Sequence, residues 1–326
     1  MKIAFITDGG LKMGMGHITR TTTLAEEFRD KAEIYFLTKS DDIIVRQIKN
    51  SNFDTLKADN DSQILNLFQE IKSDIVIIDK LEVEESFAKK LKGSIKTRLV
   101  IFDNTSAANK YADIVVNAVM GSNYRNRKFF DEKTNTLYFY GLKYEVLRKE
   151  FYAFKKPEKI FHDKVVKILL IFGGSDPLNL TSAVLDELLG QQNDFKIDAI
   201  LGAYFEYVDE LNRVLAKHPG KKGSVNIFKN IKNVAELMYQ ADLVIASPGL
   251  SVFEALYVGI PVLSFHQSPF QKNGFKGFLP TLDKSEAGKL GGIIANAEFA
   301  DPQGEYIKAF EIGEGKTEVI KAIIGS

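Results

Sequence analysis

A chain of 326 residues, 45% hydrophobic and 26% charged, has the composition of a globular protein and the length for two α/β domains at roughly 100–200 residues each. Its 43 basic and 43 acidic side chains cancel, which argues against a nucleic-acid binder and allows at most a local basic patch. No cysteine is present, which excludes disulfides, thiol catalysis and cysteine metal sites, and His17, His162, His218 and His266 share no metal-ligand spacing. The first residues read as a strand, not as the basic-then-apolar layout of a signal peptide, and no apolar run approaches the ~20 residues of a membrane span. A cytoplasmic protein without an integral membrane segment is expected.

In chain order, the apolar run 2–7 predicts a first strand, followed by the glycine-rich stretch Asp8-Gly9-Gly10-Leu11-Lys12-Met13-Gly14-Met15-Gly16-His17. Leu24, Ala25 and Phe28 then share one face of a helix. Strands are predicted at 33–38, 74–79, 97–102 and 113–117, the last closing the first domain, with helices at 41–50, 61–71 and 85–91 between them. Such alternation means a parallel sheet with helices on both faces. Ligands of these sheets bind beyond the carboxyl ends of the strands, where His17, Asp79, Asp103 and Asn117 are expected. Residues 122–157 are mixed. Tyr140, Tyr144, Phe151 and Tyr152 there either stack on a ligand or pack against a domain edge, and the polar stretch 155–159 reads as a linker.

The pattern then restarts. Strands are predicted at 165–172, 196–201, 224–228, 241–246 and 259–265, and helices at 180–189, 208–217 and 234–239. Two further glycine turns, Gly173-Gly174-Ser175-Asp176-Pro177 and Ser247-Pro248-Gly249-Leu250-Ser251, follow strands. An amphipathic helix at 318–324 ends the chain. The expected organisation is a domain over 1–155 and a second over 156–326, both doubly wound, with the glycine turns at matching ends of two facing sheets.

Helix starts at Gly16, Gly174 and Gly249 offer backbone N–H groups to an anion, and a diphosphate is the simplest ligand needing that many donors. Neither a Walker A pattern nor the dinucleotide fingerprint is present, so nucleotide hydrolysis and hydride transfer lose ground. His17, in the first turn of its helix, either transfers a proton or only hydrogen-bonds the backbone. Asp79 and Asp103 either serve a site or cap loops, and Glu254 either binds a ligand or complements a helix dipole.

Gly14-x-Gly16-His17-x-x-Arg20, the segment 172–181 from Phe172 to Thr181, and Asp242 through Pro261 resemble the nucleotide-sugar hydrolases of pseudaminic acid synthesis and the related spore-coat polysaccharide proteins. Tyr140-Gly141-x-Lys143-Tyr144 through Phe151 is similar to the same family's segment before the linker. The resemblance spans roughly residues 1–275 and implies the GT-B fold, two Rossmann-like domains facing a cleft, with the acceptor side first and the nucleotide side second. By position it implies that His17 is the catalytic base acting on water at the sugar C1 and that Glu254 grips the ribose. It also implies that Gly14, Gly16 and Arg20, with Gly173, Gly174, Ser175, Gly249, Leu250 and Ser251, line the substrate and its diphosphate, and that residues 226–231 help form a uracil pocket. Gln267 and Gln271 resemble a polar segment near the sugar or are simply a polar loop. Helix starts take the place of a cation, so no metal or other cofactor is expected.

Lys80 and Leu81 stand where the pseudaminic hydrolases carry histidine and tyrosine, and Asp103-Asn104 where they carry two aspartates. The segment 265–271 also differs from theirs. The leading expectation is therefore a UDP-sugar hydrolase of surface-glycan or nonulosonic acid synthesis. The alternatives are a glycosyltransferase with a glycan or lipid acceptor, at which Lys12, Met13 and Met15 hint, and an inactive nucleotide-sugar-binding subunit.

Overall fold

The computed structural model describes residues 1–11, 13–119, 125–154, 165–229, 231, 233–276, 278–296 and 310–325. These form two compact units, 1–147 with 310–326, and 148–309.

In the first unit the strands are β1 (Lys2–Thr7), β2 (Glu33–Thr38), β3 (Asp54–Lys57), β4 (Ile75–Asp79), β5 (Arg98–Phe102), β6 (Ile114–Asn117), β7 (Arg127–Asp131) and β8 (Thr136–Tyr140). They lie in the order β3-β2-β1-β4-β5-β6-β8-β7, all parallel except β7, which runs antiparallel to β8. The continuous apolar runs of β1, β4 and β5 are buried because helices cover the sheet. α1 (Gly16–Glu26), α2 (Asp42–Asn50), α3 (Asp61–Ile71) and α4 (Glu85–Ser94) make the crossovers. Asp41 and Asn60 cap α2 and α3 by accepting backbone N–H bonds. Phe68 of α3 and Phe87 and Leu91 of α4 pack in one core with Ile6, Val76 and Ile101.

The second unit repeats the plan. Its strands are β9 (Lys167–Ile171), β10 (Lys196–Leu201), β11 (Val225–Lys229), β12 (Leu243–Ala246), β13 (Val262–Phe265) and β14 (Thr281–Leu282). The order is β11-β10-β9-β12-β13-β14, all parallel. α5 (Leu180–Gly190) and α6 (Val208–Lys217) pack on one another over this sheet, and α7 (Val234–Tyr239) and α8 (Leu250–Val258) precede β12 and β13.

Several expectations are corrected. β3 is missed by periodicity because only Thr55 of its four residues is buried. β6 does not close the first sheet: the β7–β8 hairpin adds two strands, and β14 adds one to the second. The two compact units divide at Leu147/Arg148, and the final helix, α9 (Lys316–Ile324), belongs to the first. Lys316 pairs with Glu27 at 2.8 Å, and Arg98 donates to the α9 carbonyls of Ala322 and Ile323, which anchors that return. The expected linker at 155–159 lies outside the described residues. Of the four aromatics, Tyr140 packs against Phe129 and Tyr138, Tyr144 against Phe139, Tyr152 against Tyr257, and Phe151 is buried beneath Arg148. Among the described residues no helix is long and apolar enough to cross a membrane.

Candidate active site

In each sheet the chain reverses its winding direction beside its first strand, between β1 and β4 in one unit and between β9 and β12 in the other. Crevices open at such points, outside the carboxyl ends of the strands. Both are where the glycine turns lie.

In the first unit the loop after β1 is pinned at its base and folded on itself. Asp8 accepts from Thr38 (3.2 Å) and from the Lys39 amide (2.7 Å), while the Gly9 amide donates to Ser40 (2.9 Å). Gly10 and Gly14 exchange two backbone hydrogen bonds, 3.0 and 2.8 Å, so Leu11 and Met13 lie at the tip of a tight hairpin. Gly14 closes it at φ +76°, a conformation that favours glycine. α1 begins two residues later with no side chain capping it. His17 and Arg20, three residues apart, lie on one face of its first turns.

Both reach the last residue of β4. Asp79 is fully buried; its Oδ1 lies 2.7 Å from His17 Nδ1 and accepts from Arg20 Nη2 at 2.7 Å, while its Oδ2 accepts from Arg20 Nε at 2.7 Å. Arg20 Nη1 also donates to Asp103 and, at 3.4 Å, to Glu145. Asp103 holds φ +42°, which lets a residue directly after β5 turn its carboxylate toward Arg20. The Asn117 side chain braces that turn, accepting from the Asn104 amide (3.0 Å) and donating to the Asn104 carbonyl (2.8 Å). Burial pushes the Asp79 carboxyl up, but Arg20 and His17 outweigh it and hold it well below the usual carboxylate range. Burial opposes the Arg20 charge too, yet Asp103, Asp79 and Glu145 keep it raised. Glu145 goes the other way: burial, with the nearby Asp103 and Asp79 charges, pushes it up to about 7 against the pull of Arg20.

These charges fix the imidazole. An ionised Asp79 only accepts, so the shared proton sits on His17 Nδ1 and the Nε2 lone pair is left for a proton from outside. The His17 side chain is 16% exposed, while Asp79 shows no surface. A partly exposed base held by a buried carboxylate is the arrangement general base catalysis requires.

In the second unit Gly173, Gly174 and Ser175 follow β9, and Ser247, Pro248 and Gly249 follow β12. Gln267, just beyond β13, ties the two turns: its Nε2 donates to the Phe172 carbonyl (2.9 Å) and to Ser247 Oγ (2.7 Å). Gln271 accepts from the Gln267 amide (2.7 Å) and donates to the Pro248 carbonyl (3.1 Å). The glutamines are thus a clamp on the turns rather than a polar loop. Leu250 and Ser251 open α8, whose start at Gly249 has no side-chain cap.

One expectation fails on geometry. The helix after the Gly173 turn starts at Leu180, and Asp176 accepts from the Leu180 and Thr181 amides at 2.8 Å each, so that helix start already has its anion. Glu254 is fully buried and both its oxygens accept from Arg148, from Nε and Nη2 at 2.7 Å each. Asn226 likewise donates to Asp198 (2.8 Å), and Asn230 of the same loop lies outside the described residues. Lys80 is buried over Phe87 and 3.3 Å from Asp61, with burial holding its ammonium pKa down.

Sequence reading gave no role to Glu145, Arg148 or Gly202. Glu145 alone left a signal, a single carboxylate in the apolar run 144–147. A Cβ on Gly202 would lie 2.2 Å from the Gly174 carbonyl oxygen, so this glycine permits the Gly173 turn to lean on β10.

Two parallel sheets wound this way, each with its turns at the switch point, define the GT-B fold class. The sequence places the chain more closely. No protein-family model matches it. It is 46% identical over 329 residues to the uncharacterized protein MJ1062 of Methanocaldococcus jannaschii, a match covering 99% of this chain but 66% of that protein, so the chain spans just under two thirds of that relative. It is 28% identical over 284 residues to the spore coat polysaccharide biosynthesis protein SpsG of Bacillus subtilis, covering 85% of this chain and 81% of SpsG. Over 259 residues it is 24% identical to the UDP-2,4-diacetamido-2,4,6-trideoxy-beta-L-altropyranose hydrolase of Campylobacter jejuni, covering 78% of this chain and 88% of that enzyme. Acinetobacter baumannii MurG superposes over both full chains with a TM-score of 0.65 at 15% identity. Anabaena HepE in complex with UDP-glucose does so with 0.59 at 14%. The chain is a homologue of the spore-coat and UDP-sugar hydrolase proteins that its motifs resemble, and its fold is GT-B.

Proposed function

We propose that this protein cleaves the anomeric C1–O bond of a UDP-sugar in glycan biosynthesis, with water as acceptor. The first unit carries the proton transfer and the second holds the nucleotide. The observation that carries the reading is the His17–Asp79–Arg20 network, which holds Nδ1 of a partly exposed imidazole against a buried carboxylate and leaves Nε2 outside that bond. His17 Nε2 takes a proton from water as its oxygen bonds to C1. The C1–O bond breaks toward the leaving group, and UDP departs with the electron pair. The turns after β9 and β12, with the uncapped start of α8, supply backbone donors for the diphosphate. The relatedness to a UDP-sugar hydrolase supports this reading. A second reading, sugar transfer to an apolar acceptor, is favoured by Leu11 and Met13, 44% and 43% exposed at the hairpin tip.

The test is calorimetric titration with UDP, CMP, GDP and UDP-N-acetylglucosamine, followed by UDP release without an acceptor. UDP binding with release in water supports hydrolysis; binding without release shifts the reading to transfer. His17→Ala is expected to abolish turnover and leave UDP affinity within about twofold, since a general base contributes to the transition state and little to ground-state binding. No nucleotide binding overturns both readings.

A further inference from the structure

We propose that the outer edge of β7 is a docking surface for a second copy of this chain, the two β7 strands pairing antiparallel about a two-fold axis through Phe129. β7 is the last strand of its sheet, and among the described residues no strand lies beyond it. Such an edge presents unpaired N–H and C=O groups, and proteins that stay monomeric blunt it with charge, proline or a bulge. Here the edge carries charge of both signs, Arg127, Lys128 and Asp131, and between them two exposed aromatics, Phe129 and Phe130, 41% and 54% accessible. Phe129 continues an aromatic row, stacked on Tyr138 at 4.9 Å and edge-on to Tyr140 at 5.6 Å, with Arg127 over the Tyr140 ring.

Geometry limits how such an edge meets itself. Opposed residues of an antiparallel pair point to the same face, and side chains alternate along a strand. Two identical strands therefore pair only in registers where the two residue numbers sum to an even value. The register centred on Phe129 pairs all five residues of Arg127-Lys128-Phe129-Phe130-Asp131. In it Arg127 faces Asp131 of the other copy, twice by symmetry. Phe129 faces its own equivalent, and Lys128 stands opposite Phe130. Lys128 already lies 3.4 Å from Glu318 at the surface, and Asp131 accepts from the Lys133 amide, contacts within one copy that this pairing leaves in place. A strand with charges of one sign would suit a partner of the opposite sign. This one, basic at its start and acidic at its end, is complementary to itself, as an isologous interface must be.

Sedimentation velocity over a concentration series and cysteine cross-linking test the pairing. The wild type is expected to dimerise. Arg127→Asp sets two carboxylates opposite each other at both ends and is expected to weaken the dimer by roughly tenfold or more. Arg127→Asp combined with Asp131→Arg restores it, because the reversed charges still face one another. The chain has no cysteine of its own, so Phe129→Cys introduces one thiol, about 4.5–5.5 Å from its equivalent between Cα atoms. Mild oxidation is expected to link that variant into a covalent dimer. Phe130→Cys, roughly 8 Å from its equivalent, is expected to stay unlinked. Arg127, Phe129 and Phe130 are exposed and Asp131 is half-buried, and circular dichroism checks that each variant is folded. A wild type that stays monomeric, a dimer indifferent to Arg127→Asp, a double variant that fails to restore it, or Phe129→Cys that does not cross-link overturns the proposal.

Discussion

Asp79→Asn removes one charge from the centre of the His17 network while keeping its shape. Asp79 accepts three hydrogen bonds of 2.7 Å with no surface exposed. An amide has one oxygen, so its NH2 must oppose Arg20 Nε if placed at Oδ2, or Arg20 Nη2 and His17 Nδ1 if placed at Oδ1. Breaking a buried pair by removing one partner costs about 3–5 kcal/mol. Arg20 keeps Asp103 and Glu145, so the lower end, about 3 kcal/mol, is expected. The sign with pH follows from the depressed Asp79 pKa. Its stabilisation is fully present above the ordinary carboxylate value of about 3.9 and is lost as pH falls through the lower folded value. Urea unfolding of wild type and variant at pH 7 and again below pH 4 is expected to show a gap that narrows with acid. With the NH2 group facing His17, the imidazole proton moves to Nε2 and the base is lost, lowering turnover by roughly 10²–10⁴-fold. Nitrogen-15 NMR of the imidazoles reads the tautomer directly. A variant that keeps the Nδ1–H tautomer and full turnover would refute the role assigned to Asp79.

Glu145→Gln tests the opposite case. Because burial raises the folded-state pKa of Glu145 from 4.5 to about 7, folding takes up a proton in that window and stability falls as pH rises through it. The glutamine removes this slope and gains on the order of 3 kcal/mol at pH 8 with little change at pH 4, read from urea midpoints across the range. Arg148→Met leaves Glu254 buried and unpaired and is expected to cost about 3–5 kcal/mol; adding Glu254→Leu recovers most of it in thermal unfolding, since an apolar pair carries no stranded charge. Gly202→Ala places its Cβ 2.2 and 2.4 Å from the Gly174 and Gly173 carbonyl oxygens. It is expected to cost about 1–3 kcal/mol of stability and to weaken UDP binding in calorimetry more than an equally destabilising core substitution does.

Much of the architecture was legible because local chemistry repeats along the chain. Buried strands such as Ile75–Asp79 are continuous apolar runs, and helices such as Asp61–Ile71 space Ile64 and Phe68 on one face. Asp54–Lys57 was not legible, since an edge strand with one buried residue has no apolar pattern. The β7–β8 hairpin was hidden in the mixed segment 122–157, because β7 buries none of its five residues and so shows no apolar alternation. Within the site, the spacing of His17 and Arg20 announced a shared helix face. The partner of Glu254 was not legible, because a position just inside a helix start gives no sign that Arg148, 106 residues earlier, donates to both its oxygens.

The sequence by itself determined two doubly wound sheets, a glycine-rich turn before His17, two more glycine turns in the second half, and kinship with nucleotide-sugar enzymes. Those features are local: each rests on the periodicity or turn chemistry of about ten neighbouring residues. The tertiary structure alone decided that Arg20 gathers carboxylates 59, 83 and 125 residues away. It also decided that Gln267 clamps two turns, and that the last helix returns to the first unit. Long-range pairs of this kind depend on which strands become neighbours in a sheet, and strand order leaves no periodic trace in the chain.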